Sequence, residues 1–407
     1  MTASEDEPSS ADPAARSRGR TRGRTTFDLG YRPALDGVRA VAVIAVMLFH
    51  ATLVPHAPFH VDGGFFGVDV FFVLSGFLIT TLLVEEFQRT SSIRFRSFYA
   101  RRALRLLPAI AVVLVAVLIY AQVNMPSGEA HYVHVEALWT AVYGINWYFV
   151  VQHSPFLTLT LLGHAWSLSI EEQFYLVWPL VLLGLLRLRL AARTLVLVAL
   201  SGAALSAIVM VAVAPRGLAG EFHALYGTDA RAQGILLGAA LGLAAVNGML
   251  PTRLGARTAL TVAGWGAAAL LVLAFAGVVG SRSGSWLENG GYALIAVAAA
   301  VVLAHLVVTP SGVMARALAL RPVRGIGRIS YGLYLWHLPV FLVLDERRTG
   351  LTFWPLVVVQ FGVTFTAAIA SFVLVERPAL RLKRRFERVG RPAESEAGRV
   401  PGVTVRP

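Results

Sequence analysis

The sequence contains no cysteine, and only 14% of its 407 residues are charged. Without cysteine the chain has no disulfide bond, no thiol nucleophile and no thiolate metal site, although this absence leaves the redox compartment open. The low share of charge accompanies 56% hydrophobic residues and a mean hydropathy of +0.66. These values lie outside the range of soluble domains, so the composition indicates a membrane protein.

The first 29 residues lack the apolar core of a secretory signal peptide and are rich in serine, arginine and proline. We expect a disordered tail over residues 1–30 and a second, basic one over 382–407, because neither can bury enough apolar surface to fold. The folded membrane domain is then predicted over 31–381. No internal repeat of the kind found in many transporters is visible.

Apolar runs of about 17 to 25 residues recur along the chain, each long enough to cross a hydrocarbon core of roughly 30 Å. The pattern predicts an all-α fold, a polytopic transmembrane helical bundle of about ten spanning helices. A shorter aromatic run, 137–151, is interrupted by Gly144 and Asn146 and is short for a span; it is an eleventh candidate, either a span or a short interfacial helix, and the ten-span interpretation is preferred. The predicted spans are 38–55, 64–84, 103–123, 166–186, 193–214, 232–248, 258–280, 291–309, 329–345 and 352–375.

The distribution of basic residues predicts the orientation, because arginine and lysine are retained on the cytoplasmic side. With ten spans and a cytoplasmic start, 31 of the 36 basic residues lie inside. The net charge of +13 is then a topology signal and an attraction to anionic lipid, not a sign of nucleic-acid binding. We expect a multi-pass protein of the cell membrane with both termini in the cytoplasm. The outer loops keep Arg216, Arg231, Arg282, Arg347 and Arg348.

The first span, "LDGVRAVAVIAVMLFH", carries three ionisable residues, Asp36, Arg39 and His50, on one helical face. Arg39 and His50 are separated by a rise of about 16 Å, which places the arginine near the inner surface and the histidine deep in the membrane. Ionisable groups inside a bilayer are functional candidates by default. Asp36 and Arg39 are equally compatible with a snorkelling interfacial pair, and His50 with a satisfied buried histidine.

Two further stretches add charge to the second and third spans. Asp69 in "GGFFGVDVFFVLSGFLIT" lies near the outer side, where its carboxylate would accept an N–H from His50 and leave the other ring nitrogen as a base. A packing role for Asp69 remains equally open. Arg102 and Arg105 in "RSFYARRALRLLPA" share a helical face at the inner mouth, where they suit phosphate binding or plain lipid anchoring.

The stretches "HAWSLSIEEQFYLVWPL" and "GRISYGLYLWHLPVF" supply the remaining candidates. We expect Glu171 to be solvated and Glu172 to face inward. Tyr175, Tyr334 and His337 are predicted to line the cavity as substrate-binding groups. The spacing of "HYVHVE" is compatible with metal ligation but is a weak signal in an exposed loop, so no metal is expected.

Five stretches together resemble acyltransferase family 3, the polytopic bacterial membrane enzymes that O-acylate cell-surface glycans and some secreted sugars or macrolides. The resemblance runs from about residue 31 to 381, and the absence of a following esterase-like domain suggests an acyltransferase-only member. The stretches, in order, are "LDGVRAVAVIAVMLFH", "GFFGVDVFFVLSGFLIT", "RRALRLLP", "WSLSIEEQFYLVWP" and "YGLYLWH".

The resemblance implies an O-acyltransferase that takes an acyl group, acetyl in the common case, from cytoplasmic acyl-CoA. The family's signature arginine and histidine correspond to Arg39 and His50, its donor-binding arginines to Arg102 and Arg105, and its acid to Glu172. The acceptor is a hydroxyl of a carbohydrate, glycolipid or macrolide. We expect His50 to act as general base, with Asp36, Asp69 or Glu172 orienting it or binding sugar, or to carry the acyl group covalently.

A second functional class remains open, a transporter or flippase that moves a polar solute through the same cavity. Such a protein would also have ten spans and buried charges. A transporter would not need Arg102 and Arg105 grouped at the inner end of the cavity with His50 deeper in the membrane along the same path. A scaffold without activity would leave the intramembrane charges unexplained.

Overall fold

The computed structural model describes residues 29–54, 57–153, 159–279 and 286–388, with side chains as far as residue 382. Within these ranges the chain is helical and contains no strand. The helices are α1 Pro33–Ala51, α2 Gly67–Thr90, α3 Phe95–Asn124, α4 Ser127–Ala141, α5 Ile145–Gln152, α6 Trp166–Arg187, α7 Ala192–Val213, α8 Gly217–Tyr226, α9 Thr228–Val246, α10 Leu254–Phe275, α11 Tyr292–Val308, α12 Val313–Leu318, α13 Arg321–Arg328, α14 Ser330–Val343, α15 Glu346–Thr349, α16 Phe353–Ser371 and α17 Arg377–Arg388.

Nine helical segments among the described residues are long and apolar enough to cross a membrane, and they coincide with nine of the ten predicted spans. This confirms the all-α polytopic bundle. The remaining predicted span, 329–345, is the apolar helix α14 of only 14 residues, fewer than the roughly 20 that a helix needs to cross the hydrocarbon core. The nine segments are Pro33–Ala51, Gly64–Thr90, Phe95–Asn124, Gly163–Arg187, Ala192–Val213, Gly217–Val246, Leu254–Phe275, Leu287–Val308 and Phe353–Leu382.

The aromatic run 137–151 does not form one helix. It is divided between the end of α4 and the short α5, and Tyr143 between them has a φ of 53°. Neither piece is long enough to span, as the sequence predicted.

Helix α17 crosses the predicted C-terminal boundary of the membrane domain. The predicted disordered tail 382–407 begins inside α17, which continues to Arg388. The rest of that tail and residues 1–28 lie outside the described residues.

Helices α1, α2 and α9 form the centre of the bundle, and glycine permits their close approach. A Cβ atom on Gly67 of α2 would clash with the carbonyl oxygen of Ala42 in α1. On the other side of α2, a Cβ on Gly76 would clash with the carbonyl oxygen of Ile235, and one on Gly238 with that of Val73. Small residues at helix contacts are the usual way to bring membrane helices together, and here they fix the frame of the site.

Candidate active site

The three arginines selected from the sequence line one cavity of about 330 Å³. Arg39 comes from α1, and Arg102 and Arg105 come from about the third turn of α3. Proline at the start of α1 suits the first helical position and places Arg39 in the second turn. The structure thus brings together, from two helices, the cationic groups predicted to meet the donor.

Asp36 holds Arg39 in place. Their side chains form an ion pair, with Arg39 Nη1 3.0 Å from Asp36 Oδ1. The second carboxylate oxygen of Asp36 accepts a hydrogen bond of 2.7 Å from the Tyr31 hydroxyl, and Arg328 donates to that hydroxyl over 3.2 Å. Asp36 lines the cavity, but its carboxylate is engaged by this network, so it orients the arginine.

Arg102 stacks on Tyr175, with the guanidinium carbon 3.2 Å from the centre of the tyrosine ring. Such cation–π contact orients the guanidinium while leaving its N–H groups available for anions. The Nε atom of Arg102 is buried and has no hydrogen-bond partner among the described residues. Tyr175 was predicted to contact substrate; it lines the cavity and also positions Arg102.

Both acids of the "EEQFY" stretch face the same cavity. Glu172 lines it, as expected, and Arg102 and Arg105 act on it electrostatically. The expectation that Glu171 is solvated is wrong: its carboxylate lines the cavity and accepts a hydrogen bond of 3.1 Å from Ser75. Adjacent residues on a helix point about 100° apart, and the cavity is wide enough at this level to expose both to it.

Tyr334 belongs both to the cavity and to a group of histidines beyond it. Its hydroxyl lies 2.6 Å from Ser167 Oγ and donates to the carbonyl oxygen of His164 over 2.9 Å. Its ring centre lies 5.4 Å from that of His337. His50 and His337 are not among the residues that line the cavity, and Tyr334 and Ser167, which do line it, contact the histidines beyond it.

We call His50, His164 and His337 the histidine cluster. The ring centre of His337 lies 5.0 Å from that of His50 and 5.1 Å from that of His164. The prediction that His337 lines the cavity as a substrate-binding group is wrong: it lies outside the cavity lining and packs against His50. His164 was noted in the sequence but not selected; nothing in the spacing of residues 50, 164 and 337 indicated that three helices would bring these rings together.

The hydrogen bonds of the histidine cluster assign its tautomers. His337 Nδ1 lies 2.6 Å from the carbonyl oxygen of Tyr334 and must donate to it, so its Nε2 accepts. His50 Nδ1 lies 3.3 Å from that Nε2 and 2.9 Å from the carbonyl oxygen of Val46, so the Nδ1 proton of His50 faces two acceptors. In the neutral imidazole of His50, these two contacts place the lone pair on Nε2.

The predicted hydrogen bond from His50 to Asp69 is not formed. Asp69 Oδ1 instead lies 2.9 Å from Arg231 Nη2, and Asp69 Oδ2 has no hydrogen-bond partner among the described residues. Arg231 was assigned to an outer loop from its sequence position, but it lies buried in the first turn of α9. Its guanidinium carbon lies 3.8 Å from the ring centre of Tyr292 in α11. The pair joins three helices, and its partner residue was not detectable from sequence spacing.

No group of three or more histidine, aspartate or glutamate residues suited to a metal ion occurs in the part of the chain that the structure describes. The groups assembled here are those of proton transfer and anion binding: an arginine-lined cavity and, joined to it by Tyr334, a histidine with an assigned acceptor nitrogen.

Comparison with known proteins identifies a family and several relatives of this chain. The sequence model of a family described as an acyltransferase domain matches residues 32–376. The chain is 33% identical over 364 residues to the peptidoglycan O-acetyltransferase OatA of Listeria monocytogenes, which covers 87% of this chain and 56% of the relative. It is 33% identical over 359 residues to the O-acetyltransferase OatA of Staphylococcus aureus, covering 86% and 57%. A putative peptidoglycan O-acetyltransferase of Bacillus subtilis, YrhL, is 32% identical over 356 residues, covering 86% and 55%.

The chain therefore spans little more than half the length of these curated relatives. No solved structure matches it.

Proposed function

This chain belongs to the acyltransferase family, and from that premise we propose that it is a membrane O-acetyltransferase that transfers acetyl from cytoplasmic acetyl-CoA to a hydroxyl of peptidoglycan. The names of its relatives support the acetyl group and the acceptor. The observation that carries the proposal is the cavity that gathers three arginines and ends at Tyr334, against the histidine cluster.

The donor's charged head suits the arginine end of the cavity. Guanidinium groups bind phosphate oxygens in pairs of hydrogen bonds, and Arg39, Arg102 and Arg105 present three of them. A pantetheine arm on the order of 15 to 20 Å is commensurate with the rise of about 16 Å from Arg39 to His50. Asp36 orients Arg39 and Tyr175 orients Arg102, so substitution of Asp36 or Tyr175 would weaken binding of the donor.

His50 acts as the general base in this proposal. Its Nε2 takes the proton of the acceptor hydroxyl while the oxygen attacks the thioester carbonyl carbon, and collapse of the tetrahedral intermediate breaks the C–S bond. The proton then passes from His50 to the CoA sulfur. The Val46 carbonyl and His337 Nε2 accept from Nδ1 and stabilise the imidazolium that forms in between. His337 is thus a positioning residue for His50.

Tyr334 occupies the route from the cavity to His50. Because it lines the cavity and packs against His337, the thioester must pass it to reach the base. Ser167 and the His164 carbonyl hold its hydroxyl in the observed position. Displacement of this one side chain, when donor binds, would open the route.

The test is transfer of labelled acetyl from acetyl-CoA to soluble peptidoglycan glycan strands by purified protein. We expect His50→Ala to lower kcat by about 10² to 10⁴, the usual contribution of a general base. Arg102→Ala is expected to raise the KM for acetyl-CoA about ten-fold, since a charge-assisted contact is worth about 1.4 kcal/mol or more. His131→Ala and Arg253→Ala are matched controls, because both side chains are exposed and lie outside the cavity. Full transfer by a folded His50→Ala protein would disprove the mechanism.

The proposed orientation places both termini in the cytoplasm, so that the arginines meet the cytoplasmic donor. It counts α14, which is short but buried among other helices, as the tenth crossing beside the nine long segments. The chain has no cysteine, which makes single cysteines unambiguous reporters. Gly128 and Gly255 have open space around a Cβ atom and tolerate the change. In intact cells a membrane-impermeant maleimide is expected to label Gly128→Cys and not Gly255→Cys; the reverse pattern would overturn the orientation.

A further inference from the structure

A second cavity, of about 640 Å³, lies at the other end of the bundle. Its residue Tyr120 follows Arg105 by fifteen positions in α3, a rise of about 22 Å from the arginine end. The rest of the lining comes from α4, α5, residues 159–161, the last turn of α14 and Arg348 of α15, together with Met125. We call it the outer cavity and the arginine-lined one the inner cavity.

The histidine cluster lies between the two cavities along two separate segments. In α14 the order is Tyr334, which lines the inner cavity, then His337, then Leu342, which lines the outer cavity. Before and within α6 the order is reversed, with Leu161 at the outer cavity, His164 in the cluster and Ser167 at the inner cavity. A group held in the outer cavity is therefore on the opposite side of the histidines from the donor.

The side chains of the outer cavity have the chemistry of a saccharide site. Tyrosine rings offer flat apolar faces with a polar tip, and carboxyl and amide groups hydrogen-bond hydroxyl and N-acetyl groups. A few convergent polar groups among aromatic ones are typical of small-molecule sites. These residues are Tyr120, Tyr132, Tyr148, Glu129, Glu136 and Gln152.

Glu136 is the unusual member of the set. Its side chain is 0% exposed, and neither carboxylate oxygen has a hydrogen-bond partner among the described residues. Burial raises the pKa of Glu136 to about 7, and the nearby Thr160 hydroxyl offsets only part of that effect. Thr160 thus acts on this carboxyl but leaves most of the cost of its burial uncompensated, so a ligand that donates a hydrogen bond to Glu136 would stabilise it.

We infer that the outer cavity binds the saccharide of the acceptor, with Glu136 hydrogen-bonded to one of its hydroxyl or N–H groups and Tyr148 packed against a sugar ring. This inference rests on the proposed acetyl transfer and names the place of its second substrate. The acceptor then approaches the histidine cluster from outside while the thioester approaches from inside, and the two meet at His50.

The experiment uses the full chain in detergent and soluble peptidoglycan glycan strands as the probe. Equilibrium binding of the strands is measured by protein fluorescence, and acetyl transfer is measured separately against strand and acetyl-CoA concentrations. Glu136→Leu and Tyr148→Ala are expected to weaken strand binding and raise the KM for strands about ten-fold, with the KM for acetyl-CoA changed less than about two-fold. Glu221→Leu, a carboxylate on the exposed side of α8, is the matched control.

Glu136→Leu also separates binding from a structural role. Because it removes a buried carboxyl that lacks a partner, Tm is expected to stay the same or rise; a structural carboxyl would lower it. Glu136→Gln, which keeps hydrogen-bonding atoms, should restore part of the strand affinity. Unchanged strand binding in both variants, or wild-type protein that transfers acetyl without binding strands there, would overturn the inference. Strand binding that depends on Glu136 in a protein without transfer would refute the proposed function instead.

Discussion

Two aspartate–arginine pairs of nearly equal length perform different tasks in this bundle. Asp36 and Arg39, 3.0 Å apart, retain 10% and 20% of their side-chain exposure and face the inner cavity. Asp69 and Arg231, 2.9 Å apart, retain 4% and 2% and lie between α2, α9 and α11. A pair that keeps exposure to a cavity can exchange solvent for a ligand, whereas a fully buried pair only holds helices in register. In these two ion pairs, the difference in burial and not the difference in distance separates the pair that faces a cavity from the pair that only holds helices together.

The largest expected effect is on stability and comes from the buried pair. Arg231→Met is expected to lower the free energy of unfolding by about 3 to 5 kcal/mol, because it leaves Asp69 as an uncompensated buried charge. The double variant Asp69→Leu with Arg231→Met removes both charges and should recover most of the loss. Thermal unfolding of the purified protein in detergent measures both. A single variant as stable as the wild type would show that the pair has no structural role.

An intermediate effect is expected at the pair that faces the cavity. Arg39→Ala should raise the KM for acetyl-CoA about ten-fold, because it removes one charge-assisted donor from the inner cavity. The free energy of unfolding should change by less than about 1 kcal/mol, as is usual for a partly exposed pair. Steady-state transfer kinetics and thermal unfolding separate the two quantities. The comparison between the pairs fails if Arg39→Ala destabilises the protein as much as Arg231→Met does.

The smallest effect on stability and on the KM for acetyl-CoA is expected from loss of the hydrogen bond that Tyr31 donates to Asp36. Tyr31→Phe removes the hydrogen bond of 2.7 Å to Asp36 Oδ2 and leaves the ion pair in place. We expect a loss of about 1 kcal/mol or less and at most a few-fold rise in the KM for acetyl-CoA. The same kinetic measurement applies, with Tyr99→Phe as the matched control, because it removes a hydrogen bond of 2.8 Å to the Leu176 carbonyl oxygen outside both cavities. An effect as large as that of Arg39→Ala would mean that Tyr31 itself contacts the donor.

Much of the fold was predictable from the sequence, because a lipid bilayer admits few backbone conformations. Nine of ten predicted spans coincide with helices, since runs of apolar residues of sufficient length have one stable conformation in lipid. The exception, α14, is shorter than its apolar run because Ile329 separates it from α13 and the helix ends at Val343. Apolar composition alone does not set helix ends.

Part of the site was predictable for a related reason. Asp36 and Arg39 are three residues apart on one helix, and so are Arg102 and Arg105, so helix geometry dictates that each pair shares a face. That all the arginines line one cavity, with Tyr175 stacked on Arg102, depends on how α1, α3 and α6 pack. The expected contact between Asp69 and His50 is not formed, because Asp69 pairs with Arg231, which is 162 positions away in the chain.

The sequence by itself determined a polytopic helical membrane protein with charge concentrated at one end of its first and third spans, because apolar length and helical period are local properties of the chain. Only the tertiary structure decided the partners across helices: His337 for His50, Arg231 for Asp69, and a buried Glu136 in a second cavity. Those contacts depend on which faces of distant helices meet, and glycine positions and packing settle that after the helices have formed.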